Sequence, residues 1–288
     1  MSDSRYTKQY LVYDGVLVSS DIPLLTCTNR AFRYGDGLFE TIRFHKGEPL
    51  NWDAHYSRLI KGMSVLKMAV ASFPSKQKMH DSIVDLVIKN RIFYDARIRL
   101  TVFRKGEGLY TPERMQVSWL IEASDIGCTG YSFPEKGLRI DIYNDFPKLY
   151  TPISPFKTIA SHPYILAGIY CRENDFDDCL ILNGNGRFIE SFNSNLFWVK
   201  DNVIYTPLIS SGCIDGVFRK KVFSGVNKIG LRIVETKGAS EEDIINADEV
   251  FFTNSIRGIS WVAAFREKRY FAYVSKKIFN AITANDFS

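Results

Sequence analysis

Lys157 is the residue with the clearest chemical potential, because it lies in the segment SPFKTIAS between a proline-bearing loop and the start of a predicted helix. A lysine held at such a junction can have its ammonium group desolvated and its pKa lowered, which is the condition for Schiff-base chemistry with a carbonyl compound. An ordinary surface lysine is the alternative that this segment leaves open. Lys157 is therefore a candidate covalent catalyst whose role depends on its surroundings.

Glu190 is a second candidate, since it ends a predicted strand and opens the run ESFNSNLFW. Its carboxylate could anchor a cationic ring nitrogen, while the hydroxyl and N–H groups that follow could bind phosphate. The same Asn- and Ser-rich turn also suits plain turn chemistry between two strands. Both interpretations stay open on the sequence.

The segment 212–219 runs from a glycine-bearing loop into a predicted helix. The N–H groups at a helix N-terminus form a natural phosphate site. The alternative is an ordinary helix cap at Asp215 with Gly216 in the first turn. The two roles are compatible, because the backbone would bind the phosphate.

The first half of the chain, which must position part of such a site, mixes strands and helices. Apolar alternation around the Asp14-Gly15 turn predicts a hairpin, and helical spacing of apolar residues predicts two helices. The predicted elements are the hairpin over 10–18, strands over 38–44, 96–103 and 116–123, and helices over 55–68 and 75–90. This order indicates an α+β unit rather than regular βαβ repeats.

The segment 125–137 carries glycine and proline and is the predicted interdomain linker. We therefore expect an N-terminal α+β domain over 1–124 and a C-terminal α/β domain over 138–288. The elements predicted in the second domain are strands over 138–143, 178–182, 188–191, 195–199, 203–205, 232–235 and 249–253, and helices over 164–174, 217–229 and 241–246.

Composition restricts the class of function. A net charge of +5 spread over 288 residues gives little support to a nucleic-acid or membrane-surface role. The polar start MSDSRYTKQY lacks the apolar core of a signal peptide, and nowhere do about eighteen apolar residues run together. The five cysteines show no CxxC spacing and the four histidines no metal-ligand spacing. We expect a cytoplasmic protein with reduced thiols and without a metal site.

Taken together and in order, these segments resemble the class IV (fold type IV) enzymes that use pyridoxal 5′-phosphate (PLP). That family includes branched-chain aminotransferases, D-amino-acid aminotransferases and 4-amino-4-deoxychorismate lyases. The resemblance covers nearly the whole chain. It is carried by NRAFRYGDGLFETIR at 29–43, HYSRL at 55–59, Lys157, the run 190–198, YTP at 205–207, the run 214–219 and TNS at 253–255.

The resemblance implies roles for individual residues. Lys157 matches the lysine that binds the cofactor covalently and moves the substrate proton, and Glu190 matches the acid that keeps the ring nitrogen protonated so that the ring acts as an electron sink. Arg58 matches the phosphate-binding arginine, whose fork can hold two oxygens. The other cofactor contacts that it implies are Asn193, the backbone of Ile214, Gly216, Val217 and Phe218, and Asn254 with Ser255.

The resemblance also implies a two-domain fold of the D-amino-acid aminotransferase kind, with PLP in the cleft between the domains. A homodimer whose partner contributes to the pocket is expected on the same ground.

Two positions depart from the family pattern. Many members have threonine where Phe218 stands, so one hydroxyl to the phosphate is missing, at a cost of about 0.5–1.5 kcal/mol. The tyrosine that branched-chain enzymes place five residues after the lysine is His162 here, although Tyr164 is nearby. His162 either touches the cofactor region or is a helix-entry histidine without a catalytic role.

The substrate-facing positions say less about the reaction. Phe39 stands where D-amino-acid enzymes use a tyrosine to bind the carboxylate, which argues against that specificity. Arg43, Arg99 and Arg104 are candidates to meet substrate carboxylates, and a solvated strand-edge arginine is the alternative for each.

The sequence leaves two reactions open. We favour transfer of an amino group between a branched-chain-like amino acid and a 2-oxo acid, because aminotransferases are broad and numerous in this family. The alternative is a 4-amino-4-deoxychorismate lyase that releases pyruvate and 4-aminobenzoate, since the runs 194–198 and 202–207 and the residue Phe218 look somewhat more like the lyases. A catalytically silent relative would have lost Lys157 or Glu190, and both are present.

Overall fold

The computed structural model describes residues 9–284 and divides the chain into two compact units. The first unit runs to Gly130 and takes in Lys157–Ala160, and the second comprises Tyr131–Phe156 and the chain from Ser161 onward. The boundary at Gly130 falls inside the segment predicted as the linker. Lys157–Ala160, in contrast, was predicted in the C-terminal domain and belongs to the first unit.

Most of the polar start of the chain, on which the expectation about a signal peptide depends, lies outside the described residues. Within residues 9–284, every helix falls short of the length and apolar character needed to cross a membrane.

The first unit contains strands and helices in mixed order, as predicted. Its strands are β1 (Tyr10–Tyr13), β2 (Val16–Ser19), β3 (Gly37–His45), β4 (Glu48–Pro49), β5 (Ala96–Arg104) and β6 (Val117–Asp125), and its helices are α1 (Arg30–Tyr34), α2 (Trp52–Val65) and α3 (Lys76–Lys89). The six strands form one antiparallel sheet in the order β2-β1-β6-β5-β3-β4. The long central strands β3 and β5 thus place residues of distant sequence side by side.

The predicted hairpin at the start of the chain is confirmed. Tyr13 pairs with Val16, so the turn consists of Asp14 and Gly15, with φ angles of 49° and 87°. Positive φ at both central residues is typical of the turn whose twist matches that of the flanking strands, and Asp-Gly is among its preferred sequences.

The two faces of strand β3 have different surroundings. Leu38 and Ile42 are buried on the face against which α2 packs. Phe39 and Thr41 alternate with them, point to the other face and are half-buried. The core face therefore belongs to the sheet and helices of this unit, and the Phe39 face is the one that remains partly open.

The second unit is also mixed. Its strands are β7 (Leu138–Lys148), β8 (Asp178–Asn183), β9 (Phe188–Ser191), β10 (Asn195–Lys200), β11 (Val203–Pro207), β12 (Arg232–Thr236), β13 (Glu249–Asn254), β14 (Gly258–Phe265) and β15 (Lys268–Arg269), and its helices are α4 (His162–Glu173), α5 (Val217–Lys228), α6 (Glu241–Ile245) and α7 (Val274–Thr283). The main sheet follows the order β12-β11-β10-β13-β14-β7-β8-β9, with β15 beside β14.

This sheet closes on itself at Glu190. Strand β9 pairs with β8 and also with β10, through the single residue pair Glu190–Asn195. The interior is packed with aromatic rings, among which those of Phe197 and Phe251 stack with centroids 5.0 Å apart. Glu190 therefore sits on a rigid closure point, where its backbone is fixed from two sides.

Several elements were not predicted. Helices α1 and α7 and strands β14 and β15 are absent from the predictions, and β7 extends to Lys148 although the prediction ended at residue 143. The segment 144–148 is mostly polar and exposed, so it lacks the apolar alternation by which a strand is recognised.

Candidate active site

Lys157 lies beside the start of β3. The N–H of Phe39 donates to the carbonyl of Lys157 at 2.8 Å, and the N–H of Ile159 donates to the carbonyl of Gly37 at 3.0 Å. A Cβ on Gly37 would lie 2.6 Å from the backbone oxygen of Val102, so glycine is required at this position. The Lys157 ammonium lies 4.8 Å from the centroid of the Phe39 ring. The structure thus holds the amine over an aromatic face, on an anchored backbone.

Arg99 shares this aromatic ring. Its guanidinium lies 3.9 Å from the Phe39 centroid, and its Nε is 4.0 Å from a carboxylate oxygen of Glu122. The side chain retains 36% of its exposure. The Phe39 ring therefore contacts both the candidate amine and a partly exposed guanidinium, an arrangement suited to a substrate that bears a carboxylate.

Arg43 and Arg104 are engaged differently from the prediction. Arg43 donates to Asp95 at 2.6 Å and to the carbonyl of Gly130 at 2.5 Å, and its side chain is buried. Arg104 is buried as well and donates to Asp36 at 2.9 Å and to the carbonyl of residue 66 at 2.6 Å. Both guanidinium groups hold the first unit together, so the structure does not support the prediction that they meet substrate carboxylates.

Arg58 lies on α2, on the core face of the sheet. Its Nε and Nη2 donate to the two carboxylate oxygens of Glu40 at 2.8 and 2.5 Å, and His55 Nδ1 donates to Glu40 at 2.7 Å. Burial alone would raise the pKa of Glu40, but Arg58 and His55 outweigh it and lower that pKa to about 2. The cluster therefore contains an ionised carboxylate and a fixed guanidinium.

Glu190 is the best-defined acid of the second unit. Its Oε1 accepts hydrogen bonds from Lys148 Nζ at 2.7 Å and from the Tyr164 hydroxyl at 2.8 Å, while its Oε2 accepts the N–H of Ile214 at 2.8 Å. The residue is 2% exposed. Burial, followed by the Glu190 charge, raises the pKa of Tyr164 well above its ordinary value, so this phenol stays a donor. Three donors thus fix an anionic acceptor.

The start of α5, where a phosphate cup was predicted, has geometry suited to an anion. Gly216 caps this helix without a side-chain hydrogen bond, so the first N–H groups, those of Val217 and Phe218, are not capped by a side chain. A Cβ on Gly216 would lie 1.8 Å from Oδ1 of Asn195, which is buried and donates to the Ile214 carbonyl at 2.8 Å, so this position favours glycine. The N–H of Ile214, however, is used by Glu190, so this residue supports the acid rather than the cup.

The side chain of Phe218 belongs to the core. It is 1% exposed, and its ring packs edge-on against Tyr131 with centroids 5.3 Å apart. The residue can therefore contribute only its backbone to an anion site, as expected from the loss of the family's threonine.

Asn193, Asn254 and Ser255 lie close together in the second unit. Asn254 Nδ2 donates to Ser194 Oγ at 3.0 Å and contacts Asn193 Oδ1 at 3.4 Å. The carbonyl of Ser255 accepts the hydroxyl of Tyr131 at 2.7 Å. The structure brings these predicted residues together, while their cofactor contacts stay a prediction.

Some functional candidates were missed by the sequence prediction. Lys148 was missed because its strand was predicted too short, and Tyr164 was noted only as a neighbour of His162. His162 itself opens α4 with an exposed side chain, which favours the helix-entry interpretation. Asp178 starts the apolar strand β8, is 2% exposed and accepts a hydrogen bond from the Ser191 hydroxyl at 3.0 Å. An acidic residue at the start of an apolar strand was the sequence signal by which it could have been found.

Comparisons with known proteins relate this chain to one enzyme family. The sequence model of the class IV amino-transferase family matches residues 37–265. An aminodeoxychorismate lyase from Vibrio harveyi is 28% identical over 244 residues, which cover 82% of this chain and 85% of that protein. A branched-chain-amino-acid aminotransferase from Pseudomonas aeruginosa is 26% identical over 252 residues, which cover 84% of this chain and 80% of that protein.

The fold has a clear counterpart among solved structures. A branched-chain aminotransferase from the thermophilic archaeon Thermoproteus uzoniensis, solved with norvaline, superposes with a TM-score of 0.86 at 21% identity and covers 96% of this chain and 93% of that one. This likeness confirms the predicted fold type IV architecture. Because the family match spans most of the sequence and includes Lys157 and Glu190, the chain belongs to the class IV amino-transferase family, whose cofactor is pyridoxal 5′-phosphate.

Proposed function

We propose that this protein is a PLP-dependent enzyme that breaks the Cα–H bond of an amino-substituted acid, with Lys157 as the covalent and proton-transferring residue. The observation that carries this proposal is the Glu190 carboxylate, buried and fixed by three donors. Lys148 already lies 2.7 Å from Oε1 and balances part of the charge, whereas Oε2 accepts the Ile214 N–H and keeps a second lone pair. A protonated ring nitrogen is therefore a further partner that suits this acid.

The residues fit the cofactor in chemistry as well as in sequence. The start of α5 offers N–H groups without a side-chain cap, and Gly216 keeps this region free of a Cβ. An anion at a helix N-terminus is stabilised by such N–H groups and by the helix dipole. We assign the phosphate to this helix start and to Arg58, the ring nitrogen to Glu190 and the aldehyde carbon to Lys157. Asn193, Asn254 and Ser255 complete the proposed contacts.

When bound, PLP would supply an electron sink that stabilises negative charge at the substrate Cα. The protein's own part is to move a proton and to exclude water. Lys157 Nζ would accept the Cα proton and return it, and the Phe39 ring beneath the amine provides an apolar support for this exchange. Arg99, on the same ring, would orient a substrate carboxylate.

For the overall reaction, we propose release of pyruvate from 4-amino-4-deoxychorismate to give 4-aminobenzoate. The V. harveyi lyase is 28% identical to this chain, against 26% for the P. aeruginosa aminotransferase. The runs 194–198 and 202–207 also look more like the lyases. These two observations lead us to place the lyase reaction before amino-group transfer, although the sequence alone favoured amino-group transfer because aminotransferases are numerous in this family.

Amino-group transfer is the second candidate. It is supported by the relationship to the P. aeruginosa aminotransferase and by the position of Arg99, which suits the second carboxylate of an acceptor such as 2-oxoglutarate. Both reactions use the same lysine, so Lys157 does not separate them.

The cofactor is tested by spectroscopy. Purified protein mixed with PLP should develop the visible absorbance of a lysine-bound cofactor. Lys157→Ala should abolish this band, while Lys76→Ala, which changes an exposed side chain at the start of α3, should retain it. Absence of the band in wild-type protein would contradict the proposal that this protein binds PLP.

The reaction is tested by a paired assay on the loaded enzyme. One arm offers 4-amino-4-deoxychorismate and measures 4-aminobenzoate and pyruvate; the other offers leucine, isoleucine or valine with 2-oxoglutarate and measures glutamate. The lyase proposal expects turnover in the first arm at least tenfold above the second. The reverse ratio would establish amino-group transfer instead.

We propose in addition that the protein is a homodimer. Supporting this, the first unit exposes Phe32, Leu109 and Tyr110 at 76, 74 and 90% of their surfaces, and large apolar and aromatic side chains left in solvent are candidates for an interface. Light scattering behind a sizing column should give twice the chain mass of 33.0 kDa. A monomer at micromolar concentration would overturn the proposed homodimer.

A further inference from the structure

The Glu40–His55–Arg58 cluster is the most unusual charged group of the first unit. Glu40 lies in β3 between Leu38 and Ile42, in a row of the strand that is otherwise apolar and faces α2. His55 and Arg58 stand about one turn apart on that helix, so both side chains reach the same carboxylate. All three residues are at most 6% exposed.

The guanidinium of Arg58 is held edge-on. Glu40 takes one hydrogen from Nε and one from Nη2, a bidentate contact that fixes the plane of the group. Because the guanidinium is planar, its Nη1–Nη2 edge then points away from Glu40. The carboxylate therefore determines the direction in which the second edge of the fork is presented.

His55 holds the carboxylate itself. Burial, reinforced by the cations Arg58 and Lys157, lowers the pKa of His55 although Glu40 opposes this effect. The imidazole is therefore neutral near pH 7, with its single hydrogen on Nδ1 and directed at Glu40.

The other nitrogen of this imidazole indicates why the residue is a histidine. Among the described residues, His55 Nε2 is buried and has no hydrogen-bond partner. A buried acceptor without a partner lowers stability, and a phenyl ring of similar shape would avoid that cost. The imidazole is thus kept for its Nδ1–H bond to Glu40.

We propose that Glu40 and His55 are positioning residues that hold Arg58 in one orientation for the phosphate group of the cofactor. This inference rests on the proposed function, in which Arg58 binds that phosphate. Under this proposal, removal of the Glu40 charge should change the affinity for the phosphate in the direction opposite to the one that electrostatics alone predicts. The Glu40 charge repels a phosphate, so its removal should tighten binding on Coulomb's law alone. Loss of orientation should weaken binding, because the freed guanidinium must be ordered again by the ligand.

The experiment compares two ligands that differ only in the phosphate. Dissociation constants for PLP and for pyridoxal are measured by fluorescence titration on wild-type protein, Glu40→Gln and His55→Phe. Glu48→Gln is the matched control, because Glu48 forms a surface pair with His80 at 2.7 Å. We expect Glu40→Gln to weaken PLP binding at least tenfold and pyridoxal binding less than twofold. His55→Phe should act in the same direction with a smaller factor, and Glu48→Gln should change neither.

Other outcomes separate the possible failures. Tighter PLP binding by Glu40→Gln, or an equal loss for both ligands, would overturn the positioning role. Circular dichroism checks that each variant is folded, and His55→Phe, which preserves the apolar volume, decides the matter if Glu40→Gln fails to fold. Wild-type protein that binds neither ligand would refute the proposed function rather than this inference.

Discussion

The ammonium of Lys148 lies 2.7 Å from Oε1 of Glu190, in a site where the two side chains keep 12% and 2% of their exposure. The same ammonium contacts the Tyr164 hydroxyl at 2.5 Å, and that hydroxyl donates to the same carboxylate oxygen. A second lysine thus neutralises the acid to which we assign the cofactor nitrogen.

This ion pair leads to a prediction about loading. Lys148→Met should destabilise the cofactor-free protein by about 3–5 kcal/mol, because it leaves a buried carboxylate without its cation. PLP, with a cationic ring nitrogen, would replace part of the lost charge. The rise of the thermal midpoint on adding PLP should therefore be larger in Lys148→Met than in wild type. Lys105→Met, which removes an exposed partner of Asp14, is the control. An equal or smaller rise would contradict the assignment of Glu190.

The helix start at Gly216 is tested by adding one methyl group. In Gly216→Ala, the Cβ would lie 1.8 Å from Asn195 Oδ1, so either Asn195 leaves its hydrogen bond to the Ile214 carbonyl or the loop before α5 moves. We expect PLP affinity to fall at least tenfold if the phosphate binds there. Gly168→Ala, inside α4 and with its nearest contact at 3.6 Å, should leave affinity unchanged and favour the helix by roughly 0.5–1 kcal/mol. Titration of both variants with PLP measures the difference, and unchanged affinity in Gly216→Ala would move the phosphate elsewhere.

Arg99 is expected to act on substrate binding. Arg99→Gln removes a charged donor that contacts the same Phe39 ring as the lysine, which should cost about 2 kcal/mol and raise KM roughly thirtyfold in whichever arm of the assay is active. Arg97→Gln is the control, since Arg97 lies two residues earlier on β5 with an exposed side chain. Steady-state kinetics of both variants provide the measurement. A KM equal to that of wild type in Arg99→Gln would exclude this residue from carboxylate binding.

The buried carboxyl of Asp178 should make the stability of the protein depend on pH. Burial raises the pKa of its carboxyl from an ordinary 3.8 to about 7, against the opposing hydrogen bonds from Cys179 and Ser191. Between these two values the folded state binds the proton and the unfolded chain does not, so the free energy of unfolding falls as the pH rises from about 4 to 7. The full effect is on the order of 4 kcal/mol.

The variant Asp178→Asn cannot titrate at this position. Its stability relative to wild type should therefore increase across the same window and level off above pH 7, as measured by urea unfolding at several pH values. Curves that stay parallel from pH 4 to pH 8 would show that Asp178 is ionised in the folded protein.

Local features of this protein were set by the sequence alone. The Asp14-Gly15 turn, the helices α2 and α3 and the strand that carries Glu190 follow from short-range sterics and apolar spacing, which need no distant partner. The order of the motifs from residue 29 to residue 255 was enough to identify the family, because each motif keeps its spacing whatever the substrate.

Only the tertiary structure decided which charged groups are available for chemistry. Arg43, Arg99 and Arg104 look alike along β3 and β5, yet two of them are buried against acids and carbonyls from distant segments, while Arg99 stacks on Phe39. Lys148 became a site residue because β7 extends to residue 148, where the lysine side chain reaches Glu190. Burial and ion pairing depend on long-range contacts, and these arise only when the sheets have closed.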